Sequence, residues 1–164
     1  MSATSLCPQP IVEALGVLGI RRLLLGIHDP AFPATAEEEV GRGSPYGRGA
    51  RRLLGFARSL GFNGIQFGPQ GMTSPINASP YDSTLFSRNP LSLSLAPLTT
   101  ETWGTLLRPE TLQRLCDGVS ATAAIDPGRV NHAQVVQRLE PVWGEIWIRF
   151  AQQRSAGLVS GLDR

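Results

Sequence analysis

Lysine is absent from this chain: all 15 of its basic residues are arginine, and against 13 acidic residues they leave a net charge of only +2. The arginines are scattered from Arg21 to Arg164, whereas a nucleic-acid binder clusters its cations on one face or along one helix. Only Arg48, Arg51, Arg52 and Arg58 make a stripe that resembles a phosphate-binding face. No nucleic-acid partner is expected, and the uniform choice of arginine fits the codon bias of a GC-rich genome. Cysteine is nearly absent too. Cys7 and Cys116 have neither metal-ligand spacing nor neighbouring partners, which excludes a zinc site and a disulfide scaffold and leaves two reduced thiols. Charged residues make up 17% of the chain, below the ~25% of ordinary globular proteins. No apolar run approaches the ~18 residues that a membrane span needs. The first twenty residues lack a basic leader and are interrupted by Pro8 and Pro10, so they make a poor signal peptide. A cytoplasmic protein without a membrane partner is expected.

What the chain has in quantity is glycine, proline and apolar side chains: 18 Gly, 13 Pro and 41% hydrophobic residues in a length of 164. That composition describes a loop-rich chain long enough to bury a core. The stretch 61–98 dominates it. Ile65 and Phe67, and again Leu91, Leu93 and Leu95, alternate with polar residues, as half-buried strands do. Between these runs, residues 68–90 are punctuated by Gly, Pro, Ser and Asn. A structureless connection of that size is uncommon in a compact domain unless it binds something.

The other elements follow from spacing. Residues 11–19 read as a short helix weakened by Gly16 and Gly19, and residues 23–27 as a strand buried on both faces, ending at His28-Asp29-Pro30. Residues 30–46, with three prolines and two glycines, read as a surface loop. Its acid run Glu37-Glu38-Glu39 is assigned to solvent rather than to a metal, because a hard cation needs ligands converging from several directions. Ala50, Leu53, Leu54, Ala57 and Leu60 mark one face of a helix over 47–60, and Gly61 suits its left-handed stop. Strand, helix and strand then form a βαβ unit with parallel strands. Further on, Pro109 and Glu110 open a helix that Gly118 is expected to stop, and 119–129 read as a loop. A helical period runs through Val135, Leu139, Val142, Ile146 and Phe150, with Pro141 expected to kink or split it.

Gly68-Pro69-Gln70-Gly71, Ser79-Pro80-Tyr81, Asn89-Pro90 and the run to Leu95 resemble the segment after the second barrel strand of the 4-α-glucanotransferases, the amylomaltases or disproportionating enzymes. Gly26-Ile27-His28 with Pro30 and Pro33, and Ser44-Pro45-Tyr46-Gly47 before a helix, look like that family's first strand, loop and helix. Asp126, Gly128, Arg129 and Val130 are a weaker echo. The connection from Gly71 to Ser79 is longer here than in the family, and Asp82 stands where Gln is common. The resemblance implies an α/β fold, the N-terminal portion of a (β/α)8 TIM barrel. A complete barrel takes roughly 250 residues, so residues 1–164 are expected to form a single partial barrel domain. Within it, 26–98 would supply the first strands and the glucan-binding loop, and 99–164 a helical insertion-like segment.

The resemblance also implies chemistry. In α/β barrels the active site is built by the loops after the strand C-termini. Tyr81 would stack on the donor sugar, with Ser79 and Pro80 fixing its pose and Asn89 and His28 as further substrate-binding candidates. From the residues alone, Ser-Pro-Tyr reads rather as a turn and Asn89-Pro90 as a strand entry, while His28 is equally a structural hydrogen-bonding group; Asp29 before Pro30 reads as turn-forming. Retaining transglycosylation needs two carboxyl groups about 5–5.5 Å apart, which the family takes from later strands. Asp29, Asp82 and Asp126 match none of those positions. No catalytic residue, metal or cofactor is therefore assigned. The partners implied are α-1,4-glucans: maltooligosaccharides, glycogen or starch-derived chains. The expected function is that of a 4-α-glucanotransferase-like protein, truncated and inactive alone. The alternatives are a non-catalytic glucan-binding or interaction protein on the same scaffold, and a small unrelated α/β domain.

Overall fold

Leu24–Ile27 (β1) and Gly64–Phe67 (β2) pair in parallel, Leu24 opposite Gly64 and Ile27 opposite Phe67. The computed structural model describes residues 9–82, 86–123 and 130–156. Before β1 lies Gln9–Val17 (α1), none of whose residues is buried. Between the strands runs Arg48–Ser59 (α2), so β1, α2 and β2 form the expected crossover unit. In α2, Ala50 and Ala57 are buried and Leu53, Leu54 and Leu60 half-buried, while Arg48, Arg51, Arg52 and Arg58 face solvent. Gly61 stops the helix in the left-handed region at φ 98°. There the Phe62 N–H reaches back 3.2 Å to the Ala57 carbonyl, which is the bond pattern of a Schellman cap. Asn63 then aligns the strands: it accepts the Leu23 N–H at 3.0 Å and donates to the Arg21 carbonyl at 2.8 Å.

Two strands make up the whole sheet among the described residues. The expectation that 23–27 is buried on both faces is overturned, because Leu24, at 48% exposed, and Gly26 are open while Leu25 and Ile27 on the other face are half-buried. Among the described residues, no second layer covers the face that carries Leu24, Gly26 and Gln66.

The main core lies elsewhere. Val40, Leu91, Leu95, Leu107, Leu112, Cys116, Val135, Leu139 and Val142 form one buried cluster. Its contributors are the loop after β1, the segment after the long loop, and the helices Pro109–Ala123 (α3) and His132–Ser155 (α4). Residues 30–46 are accordingly no simple surface loop: Phe32, Val40, Arg42 and Pro45 are all buried. Nor is 91–95 a strand. The Asn89 side chain accepts the Leu91 N–H and opens a 3-10 turn over Pro90–Ser92, and a second turn spans Ala96–Thr99. Leu91 and Leu95 go inside while Leu93 is left 48% exposed. The apparent period of two came from alternating Leu and Ser, whereas the burial here repeats every four residues.

Helix α3 runs through Gly118, which is exposed with open space where a side chain would be. Its buried positions Leu112, Cys116 and Val119 continue past the glycine, and that packing exceeds the ~1 kcal/mol propensity cost. Helix α4 likewise runs unbroken through Pro141. Pro141 and Gln137, whose carbonyl loses its helical partner, both lie on the exposed side. Meanwhile Val135, Leu139 and Val142 anchor the opposite face. The Asn131 side chain caps α4 by accepting the Gln134 N–H at 3.1 Å. The weak echo at Asp126, Gly128 and Arg129, the residue Cys7 and the end of the chain from Gly157 lie outside the described residues. Cys116 is buried as a free thiol, and burial pushes its pKa up. No helix among the described residues is long and apolar enough to cross a membrane.

Helices α3 and α4 are joined by an ionic clasp. Glu145 accepts the Arg108 N–H at 3.0 Å, the Arg108 Nε at 2.9 Å and the Thr111 hydroxyl at 2.9 Å. Its charge thus sits at the positive N-terminus of α3. Burial pushes the Glu145 carboxyl up, but the bonds from Arg108 and Thr111 outweigh it and bring the pKa down to about 2 from 4.5. A carboxylate depressed in the folded state contributes stability above its unfolded pKa and loses it as pH falls through the folded one. Stability should therefore drop between pH about 4.5 and about 2, and that part of the acid limb should flatten in Glu145→Gln, as measured by thermal unfolding across pH.

The open parallel pair generates a second expectation. Parallel strands are normally covered on both faces, and unpaired edges invite other chains. The purified chain should self-associate as its concentration rises, which sedimentation velocity will report. A cooperative melt from a clean monomer would instead favour a complete, unrelated α/β domain.

Candidate functional site

The C-terminal ends of both strands lie at one end of the sheet, so His28 after β1 and Gly68 after β2 come together there. The contact is close: a Cβ on Gly68 would collide with the His28 ring, so glycine is needed for the imidazole to lie against this backbone. The Gly68 N–H bonds the Ile27 carbonyl at 3.2 Å and prolongs the pairing by one residue. His28 itself is exposed.

The loop from residue 68 to 90 leaves this end in two storeys. Its base is tied into the protein. Gln70 Nε2 donates to both oxygens of the buried Asp29, at 3.1 and 3.0 Å. The Asn89 N–H donates to the Gln70 carbonyl at 3.1 Å, and Asn89 Nδ2 to the Thr73 hydroxyl at 2.9 Å. One storey up, His132 Nε2 meets the Ser74 carbonyl at 2.9 Å, joining the start of α4 to the loop. With that carbonyl as acceptor, the ring proton sits on Nε2.

The tip is organised by Asn77. Its N–H and carbonyl both bond the backbone of Ser74, at 3.2 and 2.9 Å. Its side chain donates to Asp82 at 2.9 Å and accepts the Ser79 N–H at 2.9 Å. The Ser79 hydroxyl in turn accepts the Tyr81 N–H at 3.3 Å. Two successive side-chain turns of this kind replace regular secondary structure. They hold a Tyr81 side chain that is 71% exposed. An aromatic ring in that position offers an apolar face and a hydroxyl to a ligand.

The five substrate-binding candidates therefore separate into three groups. Tyr81, Ser79 and Pro80 share the tip. His28 stands at the base beside Gly68. Asn89 is 6% exposed and uses both ends of its amide inside the loop, so its work is to shape the segment rather than to face solvent. Asp29, read as turn-forming, does begin a 3-10 turn over Asp29–Ala31, but its carboxylate also fastens the second loop to the first. Gln70 and Asn77 were not singled out from the sequence. The signal for Asn77 was present in the run Ser74-Pro75-Ile76-Asn77-Ala78-Ser79, which is rich in residues that bond their own backbone. Gln70 carried no such signal, since its partner lies 41 residues away.

The acid run divides its labour in the same local way. Glu38 accepts the Arg48 N–H at 2.7 Å and so caps α2, and Glu39 accepts the Gly41 N–H at 2.7 Å. Glu37 is exposed, with its pKa lowered by a bond from Thr35. The assignment of the whole run to solvent is thus corrected at Glu38, whose side chain is only 5% exposed because it is drawn to the start of α2.

Comparison of the chain with models of protein families, with curated proteins and with solved structures finds no match.

Asn77 supplies the bonds that order the tip, each worth about 0.5–1.5 kcal/mol, while none of Asn77, Ser79 and Tyr81 belongs to the buried cluster. In Asn77→Ala the Ser79 amide should exchange with solvent about ten-fold faster while the global melting temperature stays unchanged. Hydrogen-exchange NMR checks both.

Proposed function

We propose that this chain is the N-terminal portion of a 4-α-glucanotransferase-like (β/α)8 barrel and that residues 68–90 are its glucan-contacting loop. The observation that carries the reading is the Tyr81 ring, exposed at the tip of a segment whose pose is set by hydrogen bonds through Asn77, Asp82 and Ser79. A flat aromatic face open to solvent suits the C–H face of a sugar ring, and the Tyr hydroxyl suits the sugar's hydroxyls. The position of His28 and the loop at the C-terminal ends of two parallel strands supports the same reading, because barrel enzymes build their sites there.

Within this reading the chain binds and positions an α-1,4-glucan, and bond cleavage is the task of carboxylates outside it. Asp29 is buried against Gln70 and Asp82 is bonded to Asn77. Both are committed to shaping the loops. The same commitment favours a second reading, a non-catalytic glucan-binding protein on this scaffold, in which the loop alone carries the function.

Removing the ring tests the site. Loss of its apolar stacking area should cost about 1–2 kcal/mol, roughly a ten-fold fall in affinity. Weak binding of maltoheptaose, followed by NMR shifts of the 68–82 amides, should fade in Tyr81→Ala. No binding by the parent, or equal binding by parent and variant, would reject a glucan site on this loop.

A further inference from the structure

We propose that Asn63-Gly64 is a self-modifying joint: the Asn63 amide deamidates when the parallel pair opens, and the product keeps β1 and β2 from closing in register again. This site is separate from the Tyr81 loop tip and does not depend on its function. Two structural demands bring these residues together. Asn63 joins the entrances of both strands: its N–H donates to the Leu23 carbonyl at 3.0 Å, its Oδ1 accepts the Leu23 N–H at 3.0 Å, and its Nδ2 donates to the Arg21 carbonyl at 2.8 Å. A side-chain amide supplies that acceptor and that donor at once. Gly64 pairs with Leu24, whose side chain lies where a Cβ on residue 64 would sit. The other asparagines of the chain precede Ala78, Pro90 and His132.

Asparagine followed by glycine is a reactive sequence. The Gly64 main-chain nitrogen attacks the Asn63 Cγ, a succinimide ring closes as the Cγ–Nδ2 bond breaks, and the Gly64 proton leaves with Nδ2 as ammonia. One water then opens the ring at either carbonyl, giving aspartate or, with the main chain rerouted through Cγ, isoaspartate. Glycine has no Cβ to hinder the attack, whereas Ala78 and His132 have one, and Pro90 has no N–H to lose. In the closed pair the reaction is held back: the Asn63 side chain is turned to Leu23 and Arg21 and must give up both bonds before Cγ can approach the Gly64 nitrogen. Opening is local. Asn63 is exposed, the pair has no further strand on either side among the described residues, and neither strand contributes to the buried cluster. The product undoes the joint. Aspartate still accepts the Leu23 N–H but turns an oxygen to the Arg21 carbonyl in place of an N–H. Isoaspartate adds a carbon to the main chain just before Gly64, which a sheet absorbs only by losing the Leu24–Gly64 register.

The test ages the chain in mildly alkaline buffer and follows the exchange of NH2 for OH by mass spectrometry with peptide mapping. Unfolded in urea, the peptide carrying residues 63 and 64 should deamidate, and about ten-fold more slowly in Gly64→Ala, where a Cβ stands in the way. That variant is assayed unfolded, so its own folding is not at issue. In the folded parent the reaction should run slower again by about ten-fold or more. Across urea concentrations below the unfolding transition its rate should rise in step with hydrogen exchange of the β1 and β2 amides. Reacted molecules, separated by ion exchange through the charge they gain, should have lost that amide protection while α3 and α4 keep theirs. No reaction at Asn63, equal rates in the folded and unfolded parent, a rate indifferent to opening of the pair, or reacted molecules with the β1 and β2 protection intact would overturn the proposal.

Discussion

The buried cluster around Leu107, Val135 and Leu139 is the constraint on which the rest depends. Each of those side chains is at most 2% exposed, and burial of a side chain of this kind contributes about 1.5–3 kcal/mol. A two-stranded sheet with one open face cannot supply a comparable core. The cluster recruits residues from both sides of the strand pair instead: Val40 from the loop after β1 and Leu91 and Leu95 from the far end of the long loop. Both loops that leave the C-terminal end of the sheet are therefore tethered at their far ends to the same helices.

Apolar tethering of this kind places a loop without shaping it, and the shape comes from polar bonds. Gln70 to Asp29 joins the two loops at their roots, Asn89 to Thr73 closes the second loop above them, and His132 to Ser74 ties it to α4. Beyond that level the bonds become local, within Ser74 to Asp82. The order of the segment thus passes from tertiary at the base to self-contained at the tip. The Tyr81 ring at the tip is exposed, and its main-chain N–H bonds its own neighbour Ser79.

Charge follows the same division. Glu38 and Glu145 each sit at the start of a helix, α2 and α3, and each takes a main-chain N–H there. Each has an arginine alongside, Arg48 and Arg108. Arg42 is the exception, buried near Asp29 without contacting it. With lysine absent, every one of these pairs uses the planar guanidinium, which holds a carboxylate in two places at once where the geometry allows, as Arg108 does with Glu145.

Local periodicity was enough to determine α2 and its Gly61 stop, the parallel strands on either side of it and the core stripe of α4, because each depends on near neighbours in the chain. Exposure of Tyr81 was likewise legible from its polar, proline-rich surroundings. Tertiary structure decided the remainder. It turned 91–95 from an expected strand into 3-10 turns, since Leu91 and Leu95 had to meet helices that follow them. It carried α3 through Gly118 and α4 through Pro141, because packing on one face outweighed a breaker on the other. It buried much of the loop 30–46 and moved the main core into the segment that read as an insertion. It also brought Gln70 to Asp29 and Arg108 to Glu145, pairings across 41 and 37 residues. No spacing rule encodes such pairs, since their partners become neighbours only once the chain has closed on itself.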